Sequence, residues 1–273
     1  MNLPGDRANP FLIAYSLLKR SGLLRTSIGR RLFKSAYFLY KRYIEDDLQN
    51  LVRSFPALVS GGDVLDIGAN IGYTAAVLAR ASDPGRKVYA FEPEPFNFKL
   101  LQQTAHQPGL EGRIIPLPYA VGAENGTIAL WINDRHHADH RVATEQFRSA
   151  HPGSKEVSVS LVSIDSFLKD KPGRISFVKI DVQGYELAVC QGMVETLRRN
   201  PGITIVLELM PSAMRELGFE PSHLIDFLVA RDFNIYRIHP RGKLSPGIPS
   251  IVNDSSYFNL LFSRHSIALA REA

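Results

Sequence analysis

Asp63-Val64-Leu65-Asp66-Ile67-Gly68-Ala69-Asn70-Ile71-Gly72 decides how this chain is read. A short apolar run ends in an acid and passes straight into a glycine-spaced turn, after which Tyr73 to Arg80 carries helical periodicity. The order predicts a strand, a tight loop and a helix. Gly68 and Gly72 allow positive φ or a close approach of backbone to a ligand, and the helix start offers unpaired N–H groups at the carboxyl edge of a sheet. A nucleotide-like cofactor is expected there.

Outward from this stretch, strands and helices alternate. Lys87 to Phe91 reads as a strand followed by Glu92, and Phe96 to Thr104 as a helix. Arg113 to Tyr119 is β-compatible despite two prolines, and Gly126 to Ile132 alternates like one arm of a hairpin whose partner is Val157 to Val162. Ile175 to Asp181 and Ile203 to Leu209 are buried strands that carry acids at their ends. Tyr185 to Arg199 reads as one helix, Ser222 to Ala230 as another, with strands at Phe233–Ile238 and Tyr257–Phe262 around a Gly/Pro-rich loop at 240–250. Such alternation predicts an α/β fold, a mostly parallel sheet with helices on both faces. Asp66, Glu92, Asp181 and Glu208 all stand at strand ends, so they should line one crevice.

The chain divides into a basic amphipathic arm, residues 1–55, and a domain over 56–273 with a hairpin and loop insertion near 126–162. Residues 1–44 hold nine Lys/Arg against Asp6 alone, and the remainder holds 23 basic and 26 acidic residues. From Phe33 to Phe55 apolar residues recur at three- and four-residue steps, which predicts one or two amphipathic helices. The arm reads first as docked on the domain with its charges solvated; the alternative is attraction to an acidic surface, peripheral membrane contact through residues 1–44 among the options, with no nucleic-acid partner expected. The longest apolar stretch of the arm, Phe11 to Leu18, is broken by Lys19-Arg20 and is too short to span a membrane. A lone cysteine, Cys190, excludes an internal disulfide framework and a multi-cysteine zinc site, and favours a cytoplasmic location. The histidine-rich segment 133–154 has no spacing that fixes a ligand geometry, so no metal is expected.

Two cofactors fit a glycine loop followed by an acid. A dinucleotide wants G-x-G-x-x-G, whereas here the spacing is Gly68-x-x-x-Gly72 with Asp66 ahead of the loop. A carboxylate at that place repels a pyrophosphate but can hold the amino group of a methionine moiety, directly or through water. Glu92, 20 residues beyond Gly72, can accept both ribose hydroxyls. Charge therefore favours S-adenosylmethionine over a hydride-transfer cofactor.

Val64 to Gly72, Phe91-Glu-Pro93, Ala120-Val-Gly122, Ser163 to Leu168, Val178 to Glu186 and Leu207-Glu208 together resemble the FkbM family of S-adenosylmethionine-dependent methyltransferases, over about residues 45–265. The resemblance implies a class I methyltransferase fold, Rossmann-like, with a seven-stranded sheet whose last strand is antiparallel, and most often O-methylation of a hydroxyl. Gln183 departs from it, since the family usually has Glu there. Ala138-Asp-His-Arg141 also resembles an Asp-His-Arg segment found in part of the family.

The candidate cofactor-binding residues are Asp66, Gly68, Asn70, Gly72 and Glu92. Asp181 and His140 are candidate catalytic bases toward the acceptor, His140 because an imidazole titrates near neutrality. Asp139, Arg141 and Glu208 are candidate substrate-binding residues. Alternative readings stand beside these: Glu92 as a cap for the helix near Pro95, Asp181 as a cap shared with Gly184 and Glu186, Glu208 as an ion-pair partner, and Trp131 as hairpin core. The expected activity is O-methylation of a small-molecule or glycan hydroxyl. N-methylation, or a non-catalytic scaffold of the same fold, are the alternatives.

Overall fold

β1 (Asp63–Ile67) is the axis of the large sheet, with β2 (Val88–Phe91) on one side and β8 (Ile175–Ile180) on the other, both parallel to it. The computed structural model describes residue 26 and residues 47–132, 140–153, 155–171, 173–247 and 257–268. Most of the basic arm lies outside the described residues, as do His136, His137 and Asp139. Its end is present as α1 (Asp47–Ser54), whose Leu51 and Val52 are buried, and whose Asp47 carboxylate accepts the N–H of Arg241 at 2.9 Å.

After β1 come α2 (Tyr73–Ala81), β2, α3 (Pro95–Ala105), β3 (Ile114–Leu117), β4 (Ala120–Val121), β5 (Gly126–Trp131), β6 (Arg141–Val142), α4 (Glu145–Ala150), β7 (Glu156–Val162) and α5 (Ile164–Leu168). Then follow β8, α6 (Glu186–Gln191), α7 (Val194–Arg199), β9 (Thr204–Leu209), α8 (Pro211–Glu216), α9 (Pro221–Val229), β10 (Asn234–Ile238), β11 (Leu244–Pro246) and β12 (Phe258–Ser263). The large sheet has eight strands in the order β11-β10-β12-β9-β8-β1-β2-β3. β12 runs antiparallel to both β9 and β10, as a class I methyltransferase fold requires. β11 adds a short strand beside β10, within the loop expected to be irregular. Pro116 is tolerated in β3 because that strand is an edge, where a missing N–H breaks no ladder.

Strand parity sorts the core into two layers. Leu65, Ile67, Val178, Ile180 and Leu207 pack on one face with residues of α6, α7 and α9, while Val64, Phe177, Val206 and Leu261 pack on the other with α1 and α2. Each such fully buried side chain contributes roughly 1.5–3 kcal/mol. Asp66 and Lys179 share the second face with Val64 and Phe177, and they stand opposite one another in register.

A second sheet of four strands, β4-β7-β5-β6, carries the hairpin β5–β7, paired from Gly126↔Leu161 to Trp131↔Glu156. Trp131 packs there against Phe147 of α4, with ring centroids 5.4 Å apart. The helix expected across 185–199 is two helices. Gly192 passes so close to the carbonyl of Gly122 that a Cβ would lie 1.9 Å from it, and the carbonyl of Gly192 accepts from Asp165 N–H. The Asp165 carboxylate then accepts the N–H groups of Glu195 and Thr196, restarting the helix as α7.

Candidate active site

The four strand-end acids lie on four adjacent strands, in the order Glu208 on β9, Asp181 after β8, Asp66 on β1 and Glu92 after β2. The glycine loop is folded over this row. Gly68 and Ala69 donate their N–H groups to Phe91 O, and Gly72 closes the turn by donating to Ala69 O. Gly68 has φ 80° and lies against β8, where a Cβ would fall 1.9 Å from Asp181 O. Gly72, φ 88°, precedes α2 and packs on Leu101 and Thr104 of α3, and buried Thr104 donates its hydroxyl to Ile71 O at 2.7 Å. Both glycines are thus required by protein packing as well as by conformation. Asn70 takes the left-handed region too, with φ 50°.

Glu92 is almost fully buried. One of its carboxyl oxygens accepts the N–H of Asn70 at 2.8 Å and the other that of Glu94 at 2.9 Å, so it ties the glycine loop to the turn after β2. The α3 cap is Glu94 instead, whose carboxylate accepts Asn97 N–H at 2.7 Å. Burial pushes the Glu92 carboxyl up to about 8, against the opposing pull of those two N–H groups.

Asp66 is wholly buried, and Thr74 Oγ1 of α2 donates to its Oδ2 at 2.6 Å. Its Oδ1 has no hydrogen-bond partner among the described residues; Lys179 Nζ stands 3.9 Å away. Burial raises the Asp66 pKa, with Lys179 and Thr74 working the other way. Lys179 was not singled out from the sequence, although a lysine inside the buried strand Ile175-Ser-Phe-Val-Lys-Ile180, in register with Asp66, was the signal that could have found it. Its ammonium donates to Asp181 Oδ2 at 3.0 Å and to Gly68 O at 3.4 Å. Burial acts to lower its pKa, but Asp181, Asp66 and Glu208 outweigh it and hold the ammonium above its ordinary range.

Asp181 and Glu208 are partly exposed, the Asp181 side chain to 32%, whereas Asp66 and Glu92 are buried. Gln183 Nε2 donates to Asp181 Oδ1 at 2.8 Å and to Glu208 Oε2 at 3.3 Å. The turn that follows is organised by Glu186, not by Asp181. Oε1 of Glu186 accepts the N–H groups of Val182 and Gly184, and burial pushes this carboxyl up to about 7.

His140 and Arg141 stand at the start of β6, in the small sheet. Arg141 is buried and forms an ion pair with Glu216 of α8. Asp139 lies outside the described residues. The site therefore joins Asp66, Glu92, Asp181 and Glu208 through Lys179, Gln183 and the glycine loop.

The profile of the methyltransferase FkbM domain matches residues 66–235, a span that begins at Asp66 and takes in all four acids. This chain belongs to the FkbM methyltransferase domain family. Among its relatives, hexuronic acid methyltransferase AglP of Haloferax volcanii is 29% identical over 153 residues, 55% of this chain and 58% of that protein. Methyltransferase 1 of Beauveria bassiana is 28% identical over 147 residues, 48% of this chain and 57% of that protein. The match thus spans little more than half the length of either relative. Solved structures similar to this one include the methyltransferase FkbM from Methylobacillus flagellatus, 18% identical with a TM-score of 0.46, covering 74% of this chain and 44% of that one. An O-methyltransferase from Bacillus cereus in complex with SAH is 12% identical, with a TM-score of 0.48 and coverage of 95% and 92%. Among the described residues no helix is long and apolar enough to cross a membrane, and no group of metal-ligating side chains is found.

Proposed function

We propose that this FkbM-family methyltransferase uses S-adenosylmethionine to methylate a hydroxyl of a sugar, glycan or comparable small molecule. The observation that carries the reading is the row of four carboxyl groups on adjacent strand ends, with Lys179 as the cation set among them. Such a row suits a cationic cofactor, and the buried Asp66 Oδ1 is an acceptor with no hydrogen-bond partner among the described residues. The name of the Haloferax volcanii relative supports a sugar-bearing acceptor. The lone, buried Cys190 fits a reducing, cytoplasmic setting.

S-adenosylmethionine, when bound, supplies an electrophilic methyl group. Glu92 would accept from the ribose hydroxyls while its present bonds to Asn70 and Glu94 keep it in place. Asp66 contributes negative potential from below the loop, and Gly68 to Gly72 give backbone close to the ligand. Asp181 orients the acceptor hydroxyl and accepts its proton as transfer proceeds. Lys179 and Gln183 hold its two oxygens, so its orientation is set before an acceptor arrives. His140 is a second candidate proton acceptor, from the side of the small sheet.

Calorimetry with S-adenosylmethionine tests the cofactor half. The intact chain is expected to bind, and Glu92→Ala to bind at least about tenfold more weakly, since two hydrogen bonds near 1 kcal/mol each are lost. Tritiated methyl transfer into an extract of the cells that make the protein tests the rest. Label retained after alkali marks a methyl ether; label released as methanol marks an ester and refutes hydroxyl transfer. Binding without transfer to any acceptor favours the scaffold alternative.

A further inference from the structure

Gln183 occupies a backbone conformation that side chains other than glycine adopt at a cost. Its φ is 56°, and a left-handed residue of this kind costs roughly 1–2 kcal/mol. The turn around it is pinned on two sides. Gly184 lies so close to α8 that a Cβ would fall 2.7 Å from the backbone of Ala213, and Glu186 Oε1 accepts the N–H groups of Val182 at 3.2 Å and Gly184 at 3.1 Å. The side chain of Gln183 is thereby turned back across the strand ends, where one amide nitrogen reaches Asp181 Oδ1 at 2.8 Å and Glu208 Oε2 at 3.3 Å.

An amide spans the two carboxylates without neutralising either. Lys179 offsets one of them, but its ammonium is committed to Asp181 Oδ2 and Gly68 O, and its side chain is only 11% exposed, so it does not reach outward to an acceptor. Arg141 and Arg215, the cations on the neighbouring β6 and α8, are engaged by Glu216 and Glu220. Among the described residues, the acceptor half of the crevice is therefore rich in hydrogen-bond acceptors and carries excess negative charge.

We infer that Gln183 is a specificity-determining residue, holding Asp181 and Glu208 as one hydroxyl-accepting surface, so that the site takes an uncharged polyol and rejects a carboxylate-bearing acceptor such as the hexuronic acid in the name of the Haloferax volcanii relative. This rests on the hydroxyl-methyltransferase reading above. A carboxylate brought within about 6 Å of this pair meets like charge in a partly screened crevice, which corresponds to at least about tenfold discrimination.

The experiment uses the full chain and its Glu208→Gln and Gln183→Glu variants. Each is first titrated with S-adenosylmethionine by calorimetry, which shows that fold and cofactor site are intact. Each is then given tritiated S-adenosylmethionine and cell extract; the labelled products are first treated with alkali, which releases ester label as methanol, and the retained label is treated with phosphatase and separated by anion exchange into neutral and carboxylate-bearing cores. The unaltered chain is expected to place at least about tenfold more label in neutral cores. Glu208→Gln is expected to raise the carboxylate-bearing share several-fold, and Gln183→Glu to lower transfer while cofactor binding persists. Label released by alkali as methanol, label found chiefly in carboxylate-bearing cores, or a ratio unmoved by Glu208→Gln, overturns the inference. Cofactor binding with no label in any fraction instead refutes the methyltransferase reading on which it rests.

Discussion

Replacing Lys179 by Met keeps the length and much of the volume of a buried side chain while removing its charge. The ammonium lies 3.0 Å from Asp181 Oδ2 and 3.9 Å from Asp66 Oδ1, and the Asp66 side chain is entirely buried. At an effective dielectric of about 20, a pair at that second distance attracts by about 4 kcal/mol, and removing one partner of a buried pair costs roughly 3–5 kcal/mol. The Asp181 contact adds little, because that carboxylate is 32% exposed and rehydrates. Lys179→Met is therefore expected to lose about 3 kcal/mol at pH 8, or roughly 6–12 °C in Tm for a domain of this size. At pH 5.5 the loss is expected to shrink, since Asp66, whose pKa burial already raises, escapes its unpaired charge by taking up a proton. Urea unfolding at both pH values measures this, and Asp66→Asn in the Lys179→Met background should recover part of the loss. A loss below about 1 kcal/mol at pH 8, or one equal at the two pH values, refutes the reasoning.

Stability of the ligand-free protein should fall as pH rises from about 5 to 8.5. Burial raises Glu92 from 4.5 to about 8 and Glu186 from 4.5 to about 7, so the folded chain holds protons that the unfolded chain has already released in that window, and the advantage is gone above the folded values. Thermal scans across this range should show the decline, flattened in Glu92→Gln; a rising Tm contradicts it. Gly192→Ala should cost more than about 3 kcal/mol, because its Cβ would lie 1.9 Å from Gly122 O, whereas Gly85→Ala, with φ 81° and nothing near its Cβ, should cost only about 1 kcal/mol; equal urea midpoints would show the close approach to be relaxed. Thr104→Val leaves Ile71 O without its buried donor, at a cost of roughly 1–3 kcal/mol, and should weaken S-adenosylmethionine binding in calorimetry by loosening the glycine loop. Unchanged affinity in that variant would mean that the loop holds its shape without α3.

Much of the site was legible because a strand-end acid is a local signal. Asp66, Glu92, Asp181 and Glu208 each close an apolar run, and a parallel sheet brings all such ends to one edge. What the side chains do there was not local. Whether Glu92 or Glu94 caps α3 depends on the approach of Asn70 from 22 residues away, and Lys179 meets Asp66 only once β8 pairs with β1. The break at Gly192 was hidden for the same kind of reason: its cause is the carbonyl of Gly122, which no periodicity of the helix reveals.

The sequence by itself determined the strand–loop–helix of Asp63 to Ala81, the alternation that demands a sheet covered on both faces, and the family to which the chain belongs. Apolar period, glycine spacing and terminal charge are properties of neighbours along the chain, so they are readable without a fold. Only the tertiary structure decided that one buried lysine and one amide link Asp66, Asp181 and Glu208, that Asn70 of the glycine loop ties in Glu92, and that Gly68 and Gly72 yield space to Asp181 and α3. Those relations are set by strand register and by packing between segments distant in sequence, where burial removes water and leaves each charge to find its partner inside the protein.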